Sequence, residues 1–275
     1  MPCLVCGSEN LKETYSSLLR CSSCGFVWAD LDLNQEEISK VYDDSYFFSG
    51  EYSNYVKERR ALEKNFKRNI KVISRYMPSG QLLEVGSAYG FFLNLAKKQY
   101  NAQGVEINQN ACKYARERLG LDVICGDFLS TNFKANYYDL VVMWATLEHL
   151  KNPHLYIEKI SSLLKKNGIF ACSTIDINSI LARIQKDKWR QIHPPSHLSY
   201  FSQSSLIMLL AKYGLKKIHL FRLGEYRSVD NILYTILTLN NKFHRLYSLI
   251  RKLHLNRGAV YLNTYDTIYM VASKS

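Results

Sequence analysis

Four of the seven cysteines stand as two pairs, Cys3-x2-Cys6 and Cys21-x2-Cys24, each followed directly by a glycine, Gly7 and Gly25. Two thiolates two residues apart, beside a glycine that lets the backbone turn toward a metal, supply half of a tetrahedral zinc site. The two halves lie about 15 residues apart and are joined by the hairpin-like SENLKETYSSLLR, the pattern of a zinc ribbon. Four cysteines fill the coordination and leave no position for a substrate, so the expected Zn2+ is structural. Redox pairs or a disulfide cluster are the alternatives; no βαβ pattern surrounds either pair, and the expected compartment is reducing. Cys112, Cys125 and Cys172 sit in apolar surroundings and read as small core residues.

A second constellation is a series of acids. Glu84 lies in LLEVGSAYGFFL, Glu106 in GVEI and Asp127 in CGDFL, each at the end of an apolar run. A dinucleotide site wants G-x-G-x-x-G and a bare helix start to present to pyrophosphate. The turn after Glu84 instead has Gly86 and Gly90 with Ala88 between them, and Phe91 and Phe92 open the helix. Glu84 would repel a phosphate and attract an ammonium. Glu106, about 20 residues after Gly86, is placed to accept both hydroxyl hydrogens of a ribose. Asp127 is placed to accept from an adenine amino group. Any one of these acids alone would read as an ordinary solvated strand end. Together they describe a ligand with a nucleoside, a positive amino group and no phosphate.

The elements that must position these residues follow from texture. Strand-like runs QLLEVG, AQGVEI, DVICGD, YYDLVVMW and GIFACST alternate with helical stretches GFFLNLAKKQY, NQNACKYARERLG and PHLYIEKISSLLKKNG, the last with Asn152 as cap and Pro153 at its first position. Strands alternating with helices predict a mostly parallel sheet covered on both faces, with ligands bound beyond the carboxyl ends of its strands. Three segments are expected: a ribbon over 1–35, a helical lid or linker over 36–80, and an α/β domain over 81–275 with a helical insertion at about 228–257. In the linker Leu62, Phe66, Ile70 and Ile73 form one helical stripe. Tyr42, Tyr46, Phe47, Phe48, Tyr52 and Tyr55 crowd the place where a lid over the ligand would lie; plain packing of the linker on the core is the competing reading.

At 275 residues and 47% hydrophobic, the chain can bury a full α/β core beside a small module. No basic stretch followed by an apolar run opens the sequence and no run approaches a membrane span, so a soluble, cytoplasmic protein is expected. The formal charge of +12, from 36 Lys and Arg against 24 Asp and Glu, suits polyanionic partners such as RNA, anionic membrane or nucleotide-linked metabolites. A basic background without functional meaning is the alternative. The insertion carries Lys242, His244, Arg245, Arg251, Lys252, His254 and Arg257 among helically spaced Leu and Ile. Such a helix can lie on a membrane or grip nucleic acid, although a domain cover with a solvated face is the leading reading.

With these motifs the sequence resembles a class I S-adenosylmethionine-dependent methyltransferase from about residue 40 onward. LLEVGSAYGFFL is similar to the family's first motif, GVEI to its ribose acid, GDF to its adenine acid, and YYDLVVMWATLEHLKNP…LLKKNGIF to its fourth strand, next helix and fifth strand. The resemblance implies a Rossmann-like fold with a seven-stranded, mostly parallel sheet, its last two strands LKKIHLFRLG and TYDTIYMVAS antiparallel. It implies S-adenosyl-L-methionine as cofactor. The turn residues Glu84, Gly86, Ser87, Ala88, Tyr89 and Gly90 would contact its methionine part, Glu106 with Ile107 the ribose, and Asp127 with Phe128 the adenine. Trp144, Ala145 and Leu147 would line the methyl donor. The family usually has glycine where Ala88 stands.

Downstream, HPPSHLSYFS is similar to a segment of small-molecule methyltransferases, and to the HEHLSYFS-like stretch of sugar C-methyltransferases, which also carry an N-terminal four-cysteine zinc module. His197, Ser199, Tyr200 and Phe201 match it, while Pro195 and Ser196 replace its first histidine and its acid. Ser202 is expected to cap the next helix, and Gly214 to end it. Methyl transfer from a sulfonium is an in-line displacement that needs mainly alignment, with a base only for a hydroxyl or activated carbon. His197 is the first candidate for that base, with His149 and Tyr200 beside it as further catalytic candidates; histidines that brace the loop are the competing reading. The expected acceptor is a small polar metabolite, a sugar or nucleotide-linked sugar. The alternative is a ribosomal or transfer RNA methyltransferase that uses the ribbon and basic surface to bind RNA. It is disfavoured because WATLEH stands where a base-amine motif with asparagine and two prolines would be. A non-catalytic module that kept the fold is disfavoured further, since every cofactor position holds a competent residue.

Overall fold

In the computed structural model the chain is described at residues 2–15, 18–32, 37, 47, 54–240, 243–253 and 258–275. Its centre is a seven-stranded sheet, three of whose strands are the apolar runs that ended on the acids. β1 (Leu11–Thr14), β2 (Leu18–Cys21) and β3 (Val27–Ala29) belong to the N-terminal hairpin region. After α1 (Arg59–Ile73) follow β4 (Gln81–Val85), α2 (Phe91–Ala96), β5 (Asn101–Glu106), α3 (Gln109–Leu119), β6 (Asp122–Cys125), β7 (Tyr138–Trp144), α4 (Pro153–Leu163) and β8 (Leu164–Ile175). The chain closes with α5 (Ile180–Gln185), β9 (Ser199–Tyr200), α6 (Gln203–Lys212), β10 (Leu215–Phe221), β11 (Glu225–Ser228), α7 (Val229–Tyr234), α8 (His244–Lys252), β12 (Ala259–Leu262) and β13 (Thr267–Lys274).

The seven-stranded sheet runs β10-β13-β8-β7-β4-β5-β6. β4 through β8 pair in parallel, and β13 runs antiparallel to both β8 and β10. This is the expected Rossmann-like class I methyltransferase sheet. Strand order reverses between β4 and β7, so their carboxyl ends open the crevice where such sheets bind ligands. The two faces bury separate cores. Ile73, Phe92, Leu93, Cys112 and Ala115 pack on one face, from α1, α2 and α3. Ile157, Ile160 and Leu163 of α4, with Leu206, Leu209 and Leu210 of α6, pack on the other. Cys112 and Cys172 are buried as expected, while Cys125 is half-buried.

Local signals set several boundaries. The Asn108 side chain accepts from the Ala111 amide to open α3, and Gly120 closes it in the left-handed region. Ser202 and Ser205 form a reciprocal capping box at the start of α6. Two expectations shift. The helical pattern of PHLYIEKISSLLKKNG ends at Leu163, and Leu164 is already paired with Tyr138 of β7. Sheet pairing outcompetes helical propensity there, because Leu164 and Ile169 to Ile175 fill a buried strand. The insertion is also more than a helix: β11 and β12 pair antiparallel across it, Glu225 opposite Leu262, with α7 and α8 between them. Of its basic residues Lys242, His254 and Arg257 lie outside the described residues. Among the described residues no helix is long and apolar enough to cross a membrane.

The N-terminal region shares the core of the larger domain. Its sheet runs β1-β2-β3-β9, so β3 takes its second partner, the sheet's fourth strand, from residues far along the chain. Val27 pairs with Tyr200 and Trp28 with Ser199. Phe26, Trp28 and Phe201 join the core under α4 and α6.

Candidate active site

A cavity of about 290 Å³ lies beyond the carboxyl ends of β4, β5, β6 and β7. Glu84, Gly86, Ser87, Ala88, Glu106, Ile107, Asp127, Phe128, Trp144 and Ala145 all line it, so one space collects most of the cofactor positions expected from the sequence. Thr146 also lines it, although no sequence signal pointed there. Three expected positions face elsewhere. Leu147 is fully buried in the core beneath, Tyr89 packs among Phe47, Tyr55 and Tyr114, and Gly90 backs onto Ala115 and Leu121.

The turn after β4 is shaped for close approach. Gly86 has φ +75°, and a Cβ there would come within 2.8 Å of the Thr146 hydroxyl. Ala88 adopts φ 45°, a left-handed conformation costly for any residue with a Cβ. That explains why glycine is the usual occupant of the position. The strain orients the Ala88 N–H, which donates to Glu106 Oε2 at 2.7 Å, while Asn108 N–H donates to Oε1 at 2.8 Å. Glu106 is therefore fixed with both oxygens held and lone pairs left for hydroxyl donors.

Glu84 is fully enclosed, and its Oε2 has no hydrogen-bond partner among the described residues. Burial, and then the Glu106 charge, push its carboxyl well above the usual carboxylate range. Burial also raises Glu106, against the opposing effect of its backbone donors. Ser87 Oγ and Trp144 Nε1 are likewise buried without a partner among the described residues. A native interior rarely leaves such groups unmatched, so this wall fits a ligand that brings a cation and polar atoms. Asp127 accepts from the Ser130 N–H at 2.9 Å and its hydroxyl at 2.6 Å. Phe128 stacks on Tyr156, and Lys159 sits 5.0 Å above the Phe128 ring while donating to three carbonyls of the same loop. The loop after β6 is thus braced by its own hydrogen bonds and ring contacts.

Phe47, Tyr55, Leu62 and Phe66 line the opposite wall of the cavity, where the sequence suggested a lid. Tyr42, Tyr46, Phe48 and Tyr52 of that lid lie outside the described residues. The stripe expected on α1 packs inward, and the neighbouring face brings Asn65 and Asn69 to the cavity, a polar contribution that the apolar spacing did not reveal. Asn65 exchanges hydrogen bonds with the backbone of Tyr226 in β11, at 2.9 and 2.8 Å, so the insertion hairpin is tied to α1. Glu225 and Tyr269 complete this side.

The histidines expected to do chemistry sit at one edge. His149 lines the cavity and His197 lies behind it, ring centroids 4.7 Å apart. His149 Nδ1 donates to the Ser196 carbonyl and His197 Nδ1 to the Gln191 carbonyl, both at 2.9 Å. Burial, followed by the His149 and His193 rings, holds His197 well below the usual imidazole range, so it is neutral at physiological pH. Tyr200 is fully buried and donates to the His197 carbonyl at 2.9 Å. It supports the loop and does not line the cavity.

Outside the cavity lining, Cys3, Cys6, Cys21 and Cys24 bring their sulfurs within 4.8 Å of one another, with Cys3 to Cys24 at 3.6 Å and Cys6 to Cys21 at 3.5 Å. A tetrahedral zinc with sulfurs at about 2.3 Å would set sulfur separations of about 3.8 Å. Gly7 and Gly25 take φ +75° and +78°, and each donates its N–H to the carbonyl of the first cysteine of its own pair, Cys3 and Cys21. The donor set and its two turns fit the metal.

Comparison with known proteins agrees with this geometry. Residues 56–220 match the family described as "Methyltransferase domain". An uncharacterized protein of Methanocaldococcus jannaschii is 27% identical over 172 residues, covering 62% of this chain and 80% of that protein. Among solved structures, a SAM-dependent methyltransferase of Thermotoga maritima aligns with TM-score 0.56 and 18% identity over 86% of this chain and 100% of its own. Another from Archaeoglobus fulgidus gives TM-score 0.56 and 17% identity, over 83% and 99%. At these identities the structures show a shared fold.

Proposed function

We propose, from the premise that the chain belongs to the methyltransferase-domain family, that it is an S-adenosylmethionine-dependent enzyme methylating a hydroxyl or activated carbon of a small polar metabolite. A sugar or nucleotide-linked sugar is the acceptor class we favour. The observation that carries this reading is the cavity itself. Cofactor-side acids and a second wall of Asn65, Asn69, Glu225 and Tyr269 share one space of about 290 Å³ under an aromatic roof. Asn69 Oδ1 in that wall is buried without a partner among the described residues, which suits an acceptor rich in hydroxyl donors.

S-adenosylmethionine supplies, when bound, a methyl group activated on a sulfonium. The protein's task is then placement. Glu84 neutralises the amino group, Glu106 receives the ribose hydroxyls, and Asp127 with Phe128 holds the adenine. Trp144 and Ala145 border the space where acceptor and methyl group meet, and Phe47, Tyr55 and Phe66 exclude water from it. We assign the acceptor's proton to His149, whose ring lines the cavity, with His197 packed against it from behind. The Cys3, Cys6, Cys21 and Cys24 cluster would hold a structural Zn2+ that fixes the ribbon.

The test is transfer of labelled methyl from S-adenosylmethionine into either a pool of sugars and nucleotide-sugars or total RNA. Label in the small-molecule fraction is expected. Label confined to RNA would overturn the acceptor assignment and favour the reading that the +12 charge suggests.

A further inference from the structure

Beyond cofactor and acceptor walls, one cluster has a donor set richer than proton transfer requires. Glu148, His149 and His197 each bring a ligand atom within 4.8 Å of the other two. Glu148 and His197 are buried, and His149 opens onto the cavity. Two distant segments build the cluster and are sewn together around it. Leu198 N–H donates to the Glu148 carbonyl at 2.8 Å, and Ser199 Oγ donates to the Leu150 carbonyl at 2.7 Å.

The orientation of each group is fixed from outside the cluster. The Nδ1 atoms of His149 and His197 each donate to a backbone carbonyl, which sets the tautomer so that Nε2 carries the lone pair. Thr174 Oγ1 donates to Glu148 Oε2 at 2.8 Å, so the carboxylate is also oriented. A carbonyl behind each imidazole and a hydroxyl behind the carboxylate form the outer support typical of ligating residues. Two imidazoles and one carboxylate select d-block divalent ions over magnesium or calcium, and three protein ligands leave positions for water or substrate. Ligands about 2.1 Å from a tetrahedral ion stand about 3.4 Å apart, so the three atoms need draw together only modestly.

We propose that Glu148, His149 and His197 form a second metal site, for a divalent d-block cation whose open positions face the cavity and take an oxygen of the acceptor. Only the link to the acceptor rests on the function proposed above; the binding of the ion does not. With the ion present, His149 and His197 would be held as its ligands and could not take the acceptor's proton; the ion would lower the pKa of the hydroxyl bound to it, and that proton would leave to solvent water.

Full-length protein dialysed against zinc, then freed of excess, is assayed for metal by mass spectrometry. Two equivalents per chain are expected in the wild type and one in both His149→Ala and Glu148→Gln, the second of which keeps side-chain volume. Cobalt loading tells the sites apart. The thiolate charge-transfer band of the cysteine site should persist in both variants, which also shows that they fold, while the weaker bands of nitrogen and oxygen ligands disappear. Ligand loss should weaken the second site by at least about 10-fold. A wild type holding one equivalent, with the thiolate band alone, would overturn the proposal. So would variants that keep two. Either result beside continued methyl transfer would leave the methyltransferase reading intact.

Discussion

Replacing Glu84 with Gln tests the proposed ammonium contact apart from the other proposed cofactor contacts. The carboxylate is fully enclosed, so its attraction for a cation is not screened by water, and Oε2 has no partner among the described residues whose loss would confuse the result. A hydrogen bond to a charged group contributes about 1.5–3 kcal/mol, which corresponds to about 10- to 150-fold in affinity for S-adenosylmethionine. Titration calorimetry measures that loss directly. Methylthioadenosine, which lacks the amino acid, should bind variant and wild type equally. The ligand-free protein provides an opposite sign. Burial and the Glu106 charge raise the folded pKa of Glu84 above the unfolded value, near 4.3. The folded state therefore holds this proton more tightly, and Glu84 withdraws stability as pH rises from about 4 toward its folded pKa. Glutamine does not titrate, so the apo variant should gain on the wild type over that window, by about 1.4 kcal/mol for every tenfold by which folding tightens the proton's hold. Equal losses for both ligands, or a stability difference flat with pH, would refute the ammonium assignment.

Three further outcomes follow from the same geometry. Ala88→Gly removes a left-handed penalty of about 1–2 kcal/mol, of which the greater flexibility of glycine returns about 0.5–1, so thermal unfolding should shift upward by a few degrees; a lower midpoint would mean that the turn is not strained. Asp127→Ala strips the acceptor from Ser130 and would strip it from the proposed adenine contact, and should weaken S-adenosylmethionine and methylthioadenosine alike by about 5- to 150-fold, in contrast to Glu84→Gln. Cys24→Ser should lower bound zinc, thermal stability and methyl transfer together, since β3 carries the metal-side fold to β9; unchanged unfolding and turnover would separate the ribbon from the active site.

Much of this site was legible because its chemistry is local to strand ends. Glu84, Glu106 and Asp127 each terminate a short apolar run, and parallel topology brings such ends together whatever the loops do. The capping serines, the paired cysteines and their glycines are equally local. What the sequence hid was pairing between distant segments. Asn65 and Asn69 lay outside the apolar stripe read on the linker helix, and the β11 hairpin returning to Asn65 of α1 is what makes that side a cavity wall. Leu147 and Tyr89 were misdirected for a related reason. Contiguity with a motif put them near the ligand, but the residue beside a sharp turn points to the opposite side, into the core or the aromatic stack. The helix read through Leu164 to Gly168 fails where a sheet neighbour offers backbone partners that a helical pattern cannot register.

The most distant of these pairings bears on chemistry. β9 has only two residues, too few to stand alone as a strand, and lies directly after the His197–Leu198 pair. Its partner β3 is the edge strand of the ribbon, and Ala29 N–H adds a further bond to the Leu198 carbonyl at 2.9 Å. The same Leu198 donates its N–H to the Glu148 carbonyl at the cavity edge. A single residue thus joins the ribbon on one side to the Glu148, His149 and His197 cluster on the other. A ribbon held by metal would keep this short strand in register at little entropic cost, because its own hairpin is already closed. An unheld ribbon would leave the HPPSHLSYFS loop without its β3 partner, tethered by Leu198 N–H to the Glu148 carbonyl, by Ile177 N–H to the Phe201 carbonyl and by side-chain bonds. The four cysteines would therefore need no open coordination position to matter for methyl transfer: their influence would pass through β3, β9 and the backbone of Leu198.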